Sequence, residues 1–309
     1  MRSLAAYIVR GRMQAALVAV ASALLLLILL PLGYPFSFIS GAAVALATLR
    51  LGMRQGLLLV LWAVLAVGGL GLLWLQNPMP GAVLAVVLWL PVWAMAVSLR
   101  RTAQPRRSLL LATIYGLMAV LAFHYGTEDP VQWWNSLLQE ALQETLAGLA
   151  ESERGQLLHN LELIAGLMTG FSAAVLTATL IGSLMLGRWW QAVLYNPGGF
   201  GEEFRRISMG KPLTLGLVLL AALMSLTEAR LLFQDMVVVL IVPFTVQGLA
   251  VVHTLVKQRK AHNGWLAVLY LLLFIATGQI ALLLALVGAI DNWFDFRRFF
   301  GPKGEAGEE

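Results

Sequence analysis

The chain contains no cysteine. Disulfides, thiolate metal sites, iron–sulfur clusters and cysteine nucleophiles are therefore all excluded, and either face of the protein can meet an oxidising space. Charge is nearly as scarce. Asp, Glu, Lys and Arg make up 12% of the 309 residues, where a soluble domain carries about a quarter. The patterns that mark enzymes are missing too. No Ser, His and Asp stand in a motif context, there is no His-Glu-x-x-His, and no pair of aspartates falls within an apolar run. No apolar run carries a filter motif or a row of acids, as an ion channel would. No two halves repeat with matched broken helices, as in many secondary transporters. These absences predict a chain that is not an enzyme and holds no cofactor or metal.

What is present is hydrophobic. Apolar residues make up 60% of the chain, and the mean hydropathy is +0.81. A membrane span needs about 20 apolar residues, and lipid offers backbone amides no hydrogen-bond partner, so spans must be helices. The length therefore reads as one all-α polytopic bundle rather than two soluble domains. Candidate spans are Met13–Leu30, Phe36–Leu49, Gln55–Leu75, Gly81–Leu99, Ser108–Tyr125, Leu161–Gly187, Leu213–Leu226, Met236–Val256 and Trp265–Ile290. The first follows Arg2, Arg10 and Arg12 but runs on into Pro31–Pro35 with no small-x-small cleavage site, which predicts a retained span. The second and seventh are short enough to be re-entrant. About nine spans are expected, with eight the alternative.

The charges are sorted by sign between these runs. With the N-terminus inside and the spans alternating, 16 of the 21 basic residues fall on the inner side. The only acids there are Glu202 and Glu203. Lys and Arg bias sets orientation, so the N-terminus is expected in the cytoplasm of a bacterium, with the chain in its inner membrane. The pI of about 9.8 follows from these loops, not from a nucleic-acid partner; the partner is the bilayer. One tension remains: nine spans put Arg297, Arg298 and Lys303 outside.

Two connecting segments stand out. The outer loop over 127–158 holds six acids and one Arg. Asp129-Pro130 followed by Gln132 reads as a helix start, and Trp134, Leu137, Leu138, Ala141, Leu142, Thr145, Leu146 and Leu149 form a helical stripe. An amphipathic outer-surface helix is expected, with Trp133 or Trp134 in the interface; it either packs on the bundle or forms a lid. The cytoplasmic loop 191–211 contains Asn196-Pro197-Gly198-Gly199-Phe200-Gly201. Its Gly210-Lys211 is followed by Pro212, so it is a turn and not a phosphate loop.

Small residues form two stripes. Gly166, Gly170, Ala174, Ala178 and Gly182 recur every four residues in the sixth span, and Ala15, Ala19 and Ala23 do so in the first. Such stripes let helix backbones approach closely. Polar residues near spans are few. Glu162, with His159 three residues earlier and His124 at the end of the fifth span, are candidates for an outward pocket that takes a polar or cationic solute; the alternative is that all three sit hydrated in the headgroup zone. Their spacing matches no metal motif. Gln247, His253 and Gln279 are expected in interhelical hydrogen bonds. Glu228, Arg230 and Asp235 read as a solvated ion-pair cluster at an outer turn, and Trp293–Phe300 reads as an interfacial anchor.

The run Pro35–Gly56, with its Gly52-Met53-Arg54-Gln55-Gly56 turn, resembles the early part of substrate-binding (S) components of energy-coupling-factor transporters. The resemblance covers roughly residues 1–190. It implies a six-span bundle that binds a solute from outside and depends on an ATP-binding-cassette ATPase. It also implies that Ala15, Ala19 and Ala23 dock a membrane coupling protein. Residues 212–300 add about three spans, and 301–309 are expected to be a disordered tail. Asn196–Phe200, Gln247–Ala250 with His253, and Asp291, Trp293, Phe294, Asp295, Phe296 and Arg297 resemble a family of uncharacterised YybS-like bacterial membrane proteins. The expected function is solute recognition or uptake; the alternative is a membrane scaffold or regulator that works through partners. A pocket lined by Glu162 and His159 would favour uptake, and a closed outer face with both in water would favour the scaffold.

Overall fold

The computed structural model describes residues 1–29, 32–262 and 264–299. The expected tail at 301–309 lies outside them. In chain order the helices are α1 (Arg2–Ile8), α2 (Arg12–Ile28), α3 (Pro35–Leu51), α4 (Met53–Leu75), α5 (Met79–Leu84) and α6 (Leu90–Thr102). They continue with α7 (Pro105–Gly126), α8 (Pro130–Ala141), α9 (Gln143–Ala147), α10 (Glu151–Tyr195) and α11 (Gly199–Arg205). The last five are α12 (Lys211–Leu226), α13 (Arg230–Gln258), α14 (Gly264–Ile275), α15 (Thr277–Phe294) and α16 (Phe296–Phe299). The described residues contain no strand. Six helices are long and apolar enough to cross a membrane, counting α5 to α6 as one; α2, α3, α12 and α14 are shorter and apolar.

The helices group into two units that interleave in sequence. The first comprises Met1–Ala112, Ala178–Met209 and Pro243–Glu309, the second Thr113–Thr177 and Gly210–Val242. The linear division at residues 190 and 211 differs from this grouping, because α7, α10 and α13 each contribute to both units.

In the first unit α3 is the innermost helix. It is buried almost continuously from Ser37 to Leu49, which is possible because Ser40, Gly41, Ala42, Ala43, Ala45 and Ala47 let neighbours approach on every side. Ala15, Ala19 and Ala23 of α2 are fully buried against it. The Ser40 hydroxyl ties the contact by donating to the Ala19 carbonyl at 2.8 Å and accepting from Trp89 Nε1 at 2.9 Å. Trp89 ends a π-helical turn, Ala85–Trp89, that joins α5 to α6. Pro91 follows it, lacks an N–H for the preceding turn, and is accommodated by this widening. Between α3 and α4, Gly52 has φ +105°, a conformation other residues rarely adopt. Arg100 caps the end of α3 by donating to the Leu49 carbonyl, so part of the basic content serves helix termini.

The ninth expected span is not one helix. It breaks at Ala276 (φ −124°, ψ 54°) into α14 and α15. α14 starts six residues after Gln258 and returns past His253, where Tyr270 Oη meets His253 Nε2 at 3.3 Å. α15 then runs parallel to α13. Thr245 Oγ1 donates to the Ala281 carbonyl at 2.9 Å, Gly248 lies against Leu284, Gln247 bonds Asp291 at 3.1 Å, and Gln258 Nε2 donates to the Arg297 carbonyl at 3.1 Å. Both ends of the hairpin therefore lie at the C-terminal end of α13. The break falls at Thr277-Gly278-Gln279, the least apolar stretch of the run. Gln279, expected in an interhelical bond, is exposed.

The α13–α15 contact is backbone on backbone. A Cβ at Gly248 would lie 2.6 Å from the Leu284 carbonyl carbon and 3.0 Å from its Cα, so one helix would have to move. Gly248→Ala is expected to destabilise the protein by about 1–3 kcal/mol, read as a lowered unfolding midpoint in detergent. An unchanged midpoint would mean that the two helices lie further apart.

The second unit is built around Val120 of α7, Ala173 of α10 and Val239 of α13, with Leu117, Leu232 and Met236 packed on them. Gly116 faces Thr177 and Val239 at a distance no side chain could occupy. The loop expected to be helical holds two helices, α8 and α9, broken at Leu142. Asp129 caps α8 by accepting from the Val131 and Gln132 amides at 2.9 and 3.0 Å, as its place before Pro130 predicts.

Candidate functional site

The second unit brings together groups that are far apart in sequence. His124 sits in the last turn of α7, Asp235 in the second turn of α13, Gly170 in the interior of α10, and Trp133 and Trp134 in the first turn of α8. His124 Nε2 lies 2.7 Å from Asp235 Oδ2, the separation of a charge-assisted bond. Asp235 Oδ1 accepts from the Gly170 amide at 3.0 Å. Asp235 is only 3% exposed, and the His124 side chain 14%. Glycine is required at 170, because a Cβ there would stand 2.6 Å from Asp235 Oδ1 and 2.8 Å from its Cα. One residue of the small-residue stripe on α10 thus makes room for a carboxylate.

Aromatic rings border the pair in sequence and in space. Phe123 precedes His124, stacks on Trp134 with centroids 5.6 Å apart, and meets Trp133 edge-on at 5.2 Å. The two Trp rings are perpendicular at 4.8 Å. Trp134 Nε1 donates to Thr169 Oγ1 at 2.9 Å, which ties α8 to the residue preceding Gly170. Trp133 is about half exposed, as an interfacial ring would be. The chemistry available here is that of one carboxylate, one imidazole and a wall of π-faces. Such a set can hold a proton or a cation.

A family model described as "Predicted membrane protein (DUF2232)" matches residues 17–292. The chain belongs to this family. The matched segment contains every member of the His124–Asp235 cluster and the whole of α3 to α14. No curated protein matches the chain. No solved structure matches it either. Membership establishes an integral membrane protein of helical spans, and the site must speak for its own chemistry.

Of the three residues expected to line an outward pocket, the structure brings only His124 into the cluster. His159 and Glu162 are exposed on α10. They precede Gly170 by eleven and eight residues, about 16 and 12 Å along the helix axis, beyond the reach of either side chain. Asp235 is a correction. It is not part of a solvated cluster with Glu228 and Arg230, both of which are exposed; it is buried and bonded to His124. Its sequence context carried the signal, since it lies between Leu231-Leu232-Phe233 and Met236–Leu240. Arg230, five residues earlier, is on another face of the helix.

The small-residue stripe of α10 divides as well. Gly170 meets Asp235 and Gly182 meets the Phe38 ring, whereas a side chain at Gly166 would enter open space. Ala174 and Ala178 are half-buried. Gly187, which the stripe did not include, makes a contact as tight, against Ala45 and the Ala42 carbonyl.

The first unit of this DUF2232 protein has a second polar cluster, between the interior of α13 and the end of α15. Gln247, fully buried, accepts from the Met209 amide at 2.8 Å and donates to Asp291 Oδ2 and Asn292 Oδ1, both at 3.1 Å. Arg297 bonds the same Asp291 oxygen at 3.1 Å and donates to the Arg205 and Ile207 carbonyls, each at 2.6 Å. Gln247 thus joins helices as expected. His253 bonds Tyr270 and its own helix carbonyl at Leu249. Arg297 is a structural clamp rather than the free headgroup anchor expected of the terminal segment, while Trp293, Phe294 and Phe299 are exposed as an anchor would be.

Proposed function

We propose that the chain is a bacterial inner-membrane protein that recognises a polar or cationic solute on its acidic side. It would contribute to uptake in the manner of the S components that its N-terminal part resembles. The observation that carries this reading is the His124–Asp235 pair, buried within apolar helices and walled by Phe123, Trp133 and Trp134. Ionisable groups in such segments are costly and retained for function by default. A protonated amine suits both the carboxylate and the ring faces, and it would take the place of His124 on Asp235.

The orientation follows from charge. Arg154, Lys211 and Arg230 are the only basic residues of the second unit, against nine acids; all others belong to the first. The Lys and Arg bias of the loops would place the N-terminus in the cytoplasm and α8, in a segment of six acids and one Arg, outside. The chain would work without catalysis of its own and draw energy from an ATP-binding-cassette ATPase through a coupling protein. Ala15, Ala19 and Ala23 are taken up by α3, so such a partner would meet other residues of the chain.

The test is copurification of the tagged protein from native membranes in mild detergent, with mass spectrometry of bound proteins and small molecules. A bound amine that is absent from Asp235→Asn, recovered with an ATPase and coupling protein, is the expected result. A second reading, a scaffold or regulator, is favoured by the exposure of His159 and Glu162 and by the mutual packing of the three aromatic rings. It predicts membrane proteins without a small molecule, and the same partners from wild type and Asp235→Asn.

A further inference from the structure

The first unit carries a cleft of about 540 Å³ at the end of α13, lined by Arg205, Arg206, Lys257 and Arg297 against the single carboxylate of Glu202. The other nearby acids are already occupied: Glu203 by Arg188, with Nε to Oε2 at 2.9 Å, and Asp291 by Arg297. Among the described residues no carboxylate lies in ion-pair range of Arg205, Arg206 or Lys257. Among the described residues the cleft therefore holds an excess of positive charge.

Its framework is tied by hydrogen bonds. The Arg205 carbonyl accepts from both Arg297 and Thr254 Oγ1, the latter at 3.2 Å. The segment that follows is held at Ile207 by Arg297, at Ser208 by Asn292 at 3.0 Å, and at Met209 by Gln247. Gly201 leaves room for the Arg205 guanidinium, since a Cβ there would lie 3.2 Å from Nη1. In the cleft wall, Arg297 Nε and Gln258 Oε1 are buried with no hydrogen-bond partner among the described residues, and such atoms call for a ligand or ordered water. An adjoining hollow of about 460 Å³ shares Arg205, Lys257 and Glu202 and adds the apolar surfaces of Trp189 and Phe200.

We infer that this cleft binds a phosphate-bearing anion, seated as the headgroup of an anionic phospholipid. Guanidinium forks match phosphate oxygens, and basic hollows at helix ends on the inner face suit anionic headgroups. The aromatic hollow beside the charges suits the glycerol backbone and first methylenes of a lipid, which a soluble phosphate lacks. This inference does not depend on the solute site, which lies in the other unit.

The experiment uses the full-length protein, delipidated in neutral detergent and titrated with phosphatidylglycerol, phosphatidylcholine or inorganic phosphate while its unfolding midpoint is followed. A saturable rise with phosphatidylglycerol alone is expected. A basic residue at a charged surface contributes enough for half-saturation to weaken about fivefold in Lys257→Gln and about a hundredfold in Arg205→Gln/Arg206→Gln/Lys257→Gln. Arg2→Gln/Arg10→Gln/Arg12→Gln, at the same basic end but outside the cleft, should respond like wild type. Equal stabilisation by inorganic phosphate would keep the anion site and identify its source as soluble. An equal response to phosphatidylcholine, or equal loss in both triple variants, would overturn the proposal. Lys257 is exposed and its side chain forms no ion pair among the described residues, so Lys257→Gln reports even where a triple variant does not fold, and an unchanged half-saturation there also overturns it.

Discussion

His124→Leu is expected to destabilise the protein by about 3–5 kcal/mol, the cost of leaving a buried charge without its partner. Asp235 is 3% exposed, and without His124 its carboxylate retains only the Gly170 amide as a described partner. On the α10 side the Gly170 backbone already closes on the carboxylate, with 2.6 Å between the place of a Cβ and Oδ1. Removing both partners reverses the effect. A pair of apolar side chains in place of a buried ion pair is often neutral or stabilising, so His124→Leu/Asp235→Leu should unfold closer to wild type than His124→Leu does. The coupling is read by a double-mutant cycle of unfolding midpoints. If His124→Leu unfolds at the wild-type midpoint, solvent rather than the imidazole satisfies the carboxylate, and the buried pair loses its standing as a site. The cycle also separates structure from recognition, since Asp235→Asn keeps the shape of the side chain while removing its charge.

A reporter fused after Phe299 should report the same side of the membrane as one fused after Gln258. A single span over 265–290 would place them on opposite sides. The structure requires the first outcome, because α15 descends parallel to α13 and Gln258 bonds the Arg297 carbonyl. A fluorescent protein that matures only in the cytoplasm makes this an all-or-none measurement. Fluorescence from both fusions is expected, given the basic residues Lys257, Arg259 and Lys260 beside the first and Arg297 and Arg298 beside the second. A dark fusion after Phe299 with a bright one after Gln258 would reject the hairpin. The same geometry bears on the charge count, since Arg297 and Arg298 would then share a side with Lys257, Arg259 and Lys260.

Much of the fold was legible because it rests on local quantities. Hydropathy placed α2 to α7, α12 and α13 within about six residues and the core of the longer α10, since each apolar run must satisfy its own backbone in lipid. Asp129-Pro130 predicted the start of α8 because a cap is a contact between near neighbours in sequence. The hairpin at Ala276 was not legible. A 26-residue apolar run looks the same whether it crosses or turns back, and the choice depends on Gly248 and Gly288 of two distant helices meeting backbone to backbone. α3, which looked short enough to be re-entrant, is instead the helix that others surround.

The site followed the same division. His124 was identifiable as a polar residue at the end of a span, and Gly170 as part of a small-residue stripe. Neither fact says that the stripe admits a carboxylate 65 residues further along the chain. Asp235 looked hydrated because three charged residues near a turn usually are, and Glu162 looked central because it was the acid nearest a span. Membrane character, helical class and the sorting of charge are sums over single residues, and they follow from composition and order alone. The partner of a buried charge is decided by which helix faces touch. That depends on the packing of side chains distant in sequence, and here tertiary structure alone put Asp235 against His124 and left Glu162 in the open.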